Sequence, residues 1–187
     1  FAFLFVIQQG SKYALQWLGG LDDVGVYSVG YNLGMAMGLA VSAFQSAWLP
    51  YFMGFVDRRE EARVLFGRVL TYYVLGFGSL ALLFGIAGRT VVLLLTQPSF
   101  HGASQAVGFA AGAQFLSGVF SILVPAVYFA KEVRMVSLVQ AAAAAASMAL
   151  CIVLIPPLGQ VGAGLALLLG FLALAILQHL WNRSRRG

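Results

Sequence analysis

From Asp23 to Phe52 the chain reads DVGVYSVGYNLGMAMGLAVSAFQSAWLPYF, and no charge follows Asp23 in that whole stretch. A helix at the surface of a soluble domain carries a charged or polar face opposite its apolar stripe. Here the polar residues Tyr27, Ser28, Tyr31, Asn32, Ser42, Gln45 and Ser46 are all uncharged and interrupt an otherwise apolar surface. Gly30, Gly34 and Gly38 add a GxxxGxxxG ridge, which lets a second helix approach closely. Such a segment suits a membrane, with one side toward lipid and another toward protein or a wet cavity.

The remainder of the chain carries the same signature. Hydrophobic residues make up 61% and charged residues 9%, against roughly 25% charged in an ordinary soluble domain. Too few charges remain to cover a soluble surface, and the expected class is an all-α integral membrane protein. The apolar runs are continuous rather than alternating, which disfavours a β-barrel. Cys151 is the only cysteine, so no intrachain disulfide forms. The first apolar run begins at Phe1 with no charged segment before it and no small-residue cleavage site after it, unlike a signal peptide. The expectation is a truncated first helix in the C-terminal part of a larger protein.

Hydropathy and breakers divide residues 1–187 into six segments of one transmembrane lobe. Helices are expected over 1–18, 24–56, 62–87, 103–130, 134–155 and 160–182, with a short interfacial helix over 89–96. Asp23 is placed as N-cap of the second helix, Pro50 as a kink near its exit, and Pro156-Pro157-Leu158-Gly159 as the stop of the fifth. Alternating topology then puts Arg58, Arg59, Arg63, Arg68, Lys131, Arg134, Arg183, Arg185 and Arg186 on one side and Lys12 and Arg89 on the other, nine of the eleven basic residues against two. By the positive-inside rule the first side, with the C-terminus, is cytoplasmic. The net charge of +5 is therefore topology, and a nucleic-acid partner is not expected. Membrane lipids are, with anionic headgroups as secondary ligands of the basic loops.

No enzyme constellation is present: CxxC, HExxH and GxxxxGK[ST] are absent, and His101 and His179 stand apart. The acids lie at loops, so no proton-relay carboxylate is seen within a span. Neither an enzyme, a cofactor nor a metal is expected. Gln8, Lys12 and Gln16 recur every four residues on one face of the first helix, as they would around a cavity holding an anion; the alternative is that Lys12 snorkels to the interface. Ser28 and Asn32 on the second helix, and Gln114 on the fourth with Ser117, Ser121 and Tyr128, either join that cavity or bond across helices. Tyr27, Tyr31 and Trp48 suit an aromatic belt as well. Arg89 marks the outer mouth, or anchors to headgroups.

These residues resemble a known family in collinear order: GGLDDVGVYSVGYNLG (19–34), AWLPYF (47–52), GRTVVLLLTQPSFHGAS (88–104), PAVYFAKEVRMVSL (125–138) and IPPLGQVGAGLA (155–166). The chain looks like the C-terminal half of a polysaccharide biosynthesis protein, the lipid-linked oligosaccharide (O-antigen-type) flippase branch of the multidrug/oligosaccharidyl-lipid/polysaccharide exporter superfamily. That resemblance implies one lobe of a two-lobe, twelve-helix transporter in the bacterial cytoplasmic membrane. It also implies a missing N-terminal lobe and a lipid-linked glycan substrate carried on undecaprenyl diphosphate, with polysaccharide polymerase and glycosyltransferases as further partners. Lys12 would then stand near the substrate path. Members often carry an Asp-Arg or Asp-Lys pair where this chain has Ser11-Lys12, which puts a salt-bridge gate there in doubt. Two other classes are a cation-coupled multidrug and toxin extrusion antiporter, marked by an intramembrane carboxylate, and a non-transporting scaffold of a polysaccharide assembly, marked by partner binding through the basic loops.

Overall fold

The computed structural model describes residues 2–55, 58–125 and 133–184. Among them all regular structure is helical: α1 (Ala2–Leu18), α2 (Leu21–Gly34), α3 (Ala36–Met53), α4 (Arg59–Leu95), a 3-10 turn (Pro98–Ala103), α5 (Ser104–Leu123), α6 (Val133–Leu158) and α7 (Gln160–Ser184). Val64–Leu95, Pro98–Leu123, Arg134–Leu158 and Gln160–Arg183 are each long and apolar enough to cross a membrane, and α2 with α3 makes a fifth if taken as one bent span. This is consistent with a multi-pass membrane protein. The 17 residues of α1 fall a little short of a full span, which takes about 20.

Several boundaries differ from expectation for local reasons. The second segment starts at Leu21, capped by Gly20 with φ 104°, so Asp23 is no N-cap. Asp22 and Asp23 lie in the first turn, where carboxylates face the positive end of the helix dipole. The same segment is broken at Met35, with a 42° bend between α2 and α3. Residues 89–96 form no separate interfacial helix. They continue α4, whose 37 residues extend roughly 55 Å at ~1.5 Å per residue, well beyond about 30 Å of hydrocarbon. The fifth segment ends within Pro156-Pro157-Leu158-Gly159 as expected, but past the prolines and not at Ile155. Both prolines sit inside the last turns of α6, and termination falls to Gly159, whose φ of 52° and N–H donated to the Ile155 carbonyl (2.7 Å) close the helix. Tyr128, Lys131, Arg185 and Arg186 lie outside the described residues.

The glycine ridge does what its spacing suggests. A Cβ on Gly30 would strike the Ala103 carbonyl and the Ala106 side chain, and one on Gly34 the Val107 carbonyl and Ala110. Only hydrogen at those positions lets α2 lie against the 3-10 turn and α5. The central core gathers Ile7 and Leu15 of α1, Tyr27 and Tyr31 of α2, alanines of α5, and Ala143, Ala163, Leu167 and Leu174 of the α6–α7 hairpin. A second cluster joins α3 and α4 to α5 by aromatic stacking: the Tyr73 ring lies 4.4 Å from that of Phe77 and 5.8 Å from that of Phe115. Gly118 leaves room for the Tyr73 ring.

The two ends of the bundle differ in charge. The α1–α2 turn, the 3-10 turn and the α6–α7 turn meet at one end, where Gln160 donates to Asp23 (3.1 Å) and Gly102 faces Val26. At the other end Asn182 donates to the Leu123 carbonyl (3.0 Å), and Trp48, Phe52, Ala62 and Ile122 pack together. Arg58, Arg134 and Arg183 fall at this second end, on the termini of α4, α6 and α7, and Arg68 lies in the third turn of α4.

Candidate functional site

The break at Met35 lies where α1, α2, α3 and α5 come together. Gln8 and Gln114 reach it from opposite sides. The Gln114 amide nitrogen is 2.8 Å and the Gln8 amide nitrogen 4.0 Å from the Met35 thioether sulfur, a weak acceptor. One turn along α1 from Gln8, the Lys12 ammonium sits over the Tyr31 ring, 3.9 Å from its centroid. The Tyr31 hydroxyl donates to the Gln8 carbonyl at 3.2 Å, which ties the aromatic ring to the helix that carries the lysine. Behind this layer the Ser11 and Tyr27 hydroxyls pair at 3.2 Å, both buried.

Three of the candidates from the sequence thus converge: Lys12, Gln8 and Gln114. Gln114 is buried, and Gln8 and Lys12 are half-buried. Ser28 is half-buried one turn before Asn32 on α2, and Asn32 is exposed three residues before Met35. Gln16, two turns beyond Gln8, is exposed and outside the cluster. Arg89 is also exposed, at the Asp23 end, since its neighbour Gly88 packs on Val107 and the Ser104 carbonyl. Gln45 of α3 follows the interhelical reading instead, donating to Ser121 of α5 (2.8 Å). Ser42 and Ser46 cross to no other helix in these bonds and donate to carbonyls of α3 itself.

Tyr31 and Met35 are the members that sequence reasoning passed over. Tyr27, Tyr31 and Trp48 are 1%, 2% and 4% exposed, so all three are core residues rather than belt anchors. The i, i+4 spacing of Tyr27 and Tyr31 on the face that also carries the glycine ridge was the available signal. At Ser11-Lys12 the serine does not touch Lys12. It bonds Tyr27, and the lysine turns to Tyr31.

The electrostatics leave a deficit. Among the described residues the one ion pair is Arg58–Glu61 at 3.3 Å, and Lys12 has no carboxylate partner. The contact that Lys12 has is the Tyr31 ring, and a cation–π contact is worth about 0.5–2 kcal/mol. It leaves the charge uncompensated, and an anion brought to Lys12 would compensate it. Among the described residues no group of three His, Cys, Asp or Glu is placed to hold a metal. No family model, no curated protein and no solved structure matches the chain.

Proposed function

We propose that this chain forms one lobe of a flippase that moves undecaprenyl-diphosphate-linked polysaccharide repeat units across the bacterial cytoplasmic membrane by alternating access. The observation that carries this reading is the half-buried Lys12, without a carboxylate partner among the described residues and seated on Tyr31, one turn of α2 before the helix break at Met35 where the amides of Gln8 and Gln114 meet. A diphosphate would supply the missing countercharge, and the amides would donate to its oxygens and both donate to and accept from sugar hydroxyls. Broken helices around a central site are the usual way in which transporters place polar groups at membrane depth. The outward apolar surface of α4, including Leu75, Leu82, Leu83 and Ile86, suits contact with lipid, where the substrate's polyprenyl tail would stay. An N-terminal lobe would complete the cavity, and the arginine-bearing end, with the C-terminus, would face the cytoplasm by the positive-inside rule. Substrate would drive the cycle only by stabilising one closed side over the other.

The test is flipping of a fluorescent undecaprenyl-diphosphate oligosaccharide by the full-length protein in proteoliposomes. Lys12→Ala is expected to slow flipping at least ten-fold at unchanged protein incorporation. Flipping at the wild-type rate in that variant would remove Lys12 from the substrate path.

A further inference from the structure

Where α3 ends and α4 begins, at the arginine end, a groove of about 470 Å³ is lined by Phe55, Glu61, Val64, Leu65 and Arg68. Spacings of three and four residues put Glu61, Val64, Arg68, Tyr72 and Leu75 on one face of α4, and all five are exposed. Only 11% of the apolar part of α4 is buried within the bundle, so in a membrane this face meets lipid. Arg68 stands four residues inside the span that starts at Val64, about 6 Å deep at ~1.5 Å per residue. From there an arginine stem carries its guanidinium back to the level of the headgroups.

The charges along the groove are unequally engaged. Glu61 accepts from Arg58 at 3.3 Å, and the Arg58 guanidinium also lies over the Phe55 ring, 5.3 Å from its centroid. Arg68 has no carboxylate partner among the described residues. A bound cation would therefore meet a carboxylate already paired and a free guanidinium two turns away. A small free anion would pair with Arg68 and leave Phe55, Val64 and Leu65 uncovered. An amphiphile whose phosphate adjoins an acyl chain satisfies the charge and the apolar wall together. One free guanidinium matches the single negative charge of a phosphodiester, whereas a diphosphate calls for a second cation, and Arg58 is engaged. An ethanolamine headgroup would bring an ammonium that has to compete with Arg58 for Glu61. A glycerol headgroup brings no charge.

We infer that this groove binds one molecule of phosphatidylglycerol, its phosphodiester paired with Arg68 and the upper part of one acyl chain laid along Phe55, Val64 and Leu65. The site lies in the apolar face of α4 and not on a loop. It shares no residue with the Lys12 cluster and stands whether or not the protein flips a lipid-linked glycan.

The test is photo-crosslinking of the full-length protein in phosphatidylcholine vesicles that contain phosphatidylglycerol with a diazirine high on one acyl chain, read by peptide mass spectrometry. Label is expected on Phe55, Val64 or Leu65, and Leu138, exposed on α6, serves as the reference for chance lipid collisions. Since an exposed ion pair is worth a few-fold in affinity, Arg68→Met is expected to lower groove labelling about three-fold relative to Leu138. Leu65→Glu, which sets a second carboxylate in the groove, is expected to do the same. Melting curves report whether either variant fails to fold. Excess unlabelled phosphatidylglycerol is expected to compete for the groove better than phosphatidylethanolamine, and sodium phosphate not at all. Groove labelling no higher than at Leu138, or unchanged labelling in both folded variants, would overturn the site. So would equal competition by phosphatidylethanolamine, competition by phosphate, or stronger competition by undecaprenyl phosphate than by phosphatidylglycerol.

Discussion

The Lys12 ammonium lies 3.9 Å from the centroid of the Tyr31 ring, and the hydroxyl of that same ring donates to the Gln8 carbonyl one turn away on the lysine's own helix. Tyr31 therefore holds the charge from two directions, by its face and through its edge. Lys12 and Lys131 are the only lysines, so amine acylation followed by peptide mass spectrometry reads Lys12 by itself. Tyr31→Phe keeps the ring face and is expected to leave the acylation rate of Lys12 within two-fold of wild type. Tyr31→Leu removes the face and is expected to raise it several-fold, since about 0.5–2 kcal/mol of cation–π attraction is lost. Equal rates in both variants would show that the ring does not restrain the lysine.

The ridge on α2 makes a sharper stability prediction than its composition alone. Gly30 has no space for a methyl group, because backbone rather than a flexible side chain stands opposite, whereas nothing lies within 4 Å of a Cβ on Gly76 in α4. Gly30→Ala is expected to destabilise by about 1–3 kcal/mol through overpacking. Gly76→Ala is expected to be neutral or stabilising by up to about 1 kcal/mol, since alanine loses less entropy on entering a helix. Melting temperatures of the two variants in one detergent compare them directly. A Gly30→Ala variant as stable as wild type would mean that α2 and α5 do not pack as described.

How much of this was legible beforehand follows from which forces act locally. The uncharged run after Asp23 announced an apolar helical segment, which is long enough to span only if α2 and α3 are taken together, and the GxxxGxxxG spacing announced its packing face, because both depend on residues a few positions apart. Helix ends were harder. Gly88 and Arg89 before a TVVLLLT run too short to span, and Gln97 and Pro98 after it, suggested a separate element over 89–96, yet α4 runs straight through to Leu95 with Gly88 packed on Val107. The bend at Met35 has no proline to mark it and arises where α2 has already been drawn onto α5. In the site, the four-residue spacing of Gln8 and Lys12 was visible, but their partner Tyr31 could be found only once α1 and α2 were side by side. Gln16 obeys the same spacing and still falls outside, since the helix carries it past the contact.

Charge segregation gives a topology that labelling can check. In a Cys151→Ala background, Arg183→Cys reports the end of α7 and Gln97→Cys the turn after α4, both at exposed positions. With arginines on the cytoplasmic side, an impermeant maleimide added to intact cells is expected to modify Gln97→Cys at once. Arg183→Cys is expected to react only after the membrane is permeabilised. Modification of both from the same side would break the alternation on which the span count depends.

At the arginine end a chain of amides crosses from α7 to α5: Gln178 donates to the Asn182 side-chain oxygen (3.1 Å), and Asn182 donates to the Leu123 carbonyl (3.0 Å). All of it is buried, and the Gln178 side-chain oxygen finds no partner among the described residues. Asn182→Ala would strand the Gln178 N–H and the Leu123 carbonyl together, at a cost of about 1–3 kcal/mol for each buried group left unsatisfied. Gln178→Leu removes an amide that is already half unsatisfied and is expected to cost less, or even to stabilise. Because the two residues share one bond, the double variant is expected to be less destabilised than the sum of the singles, by about 0.5–3 kcal/mol. Unfolding of all four proteins in a denaturant series closes the cycle. Strict additivity would show that the amides do not act on each other, and that α7 is held to α5 by apolar contacts alone.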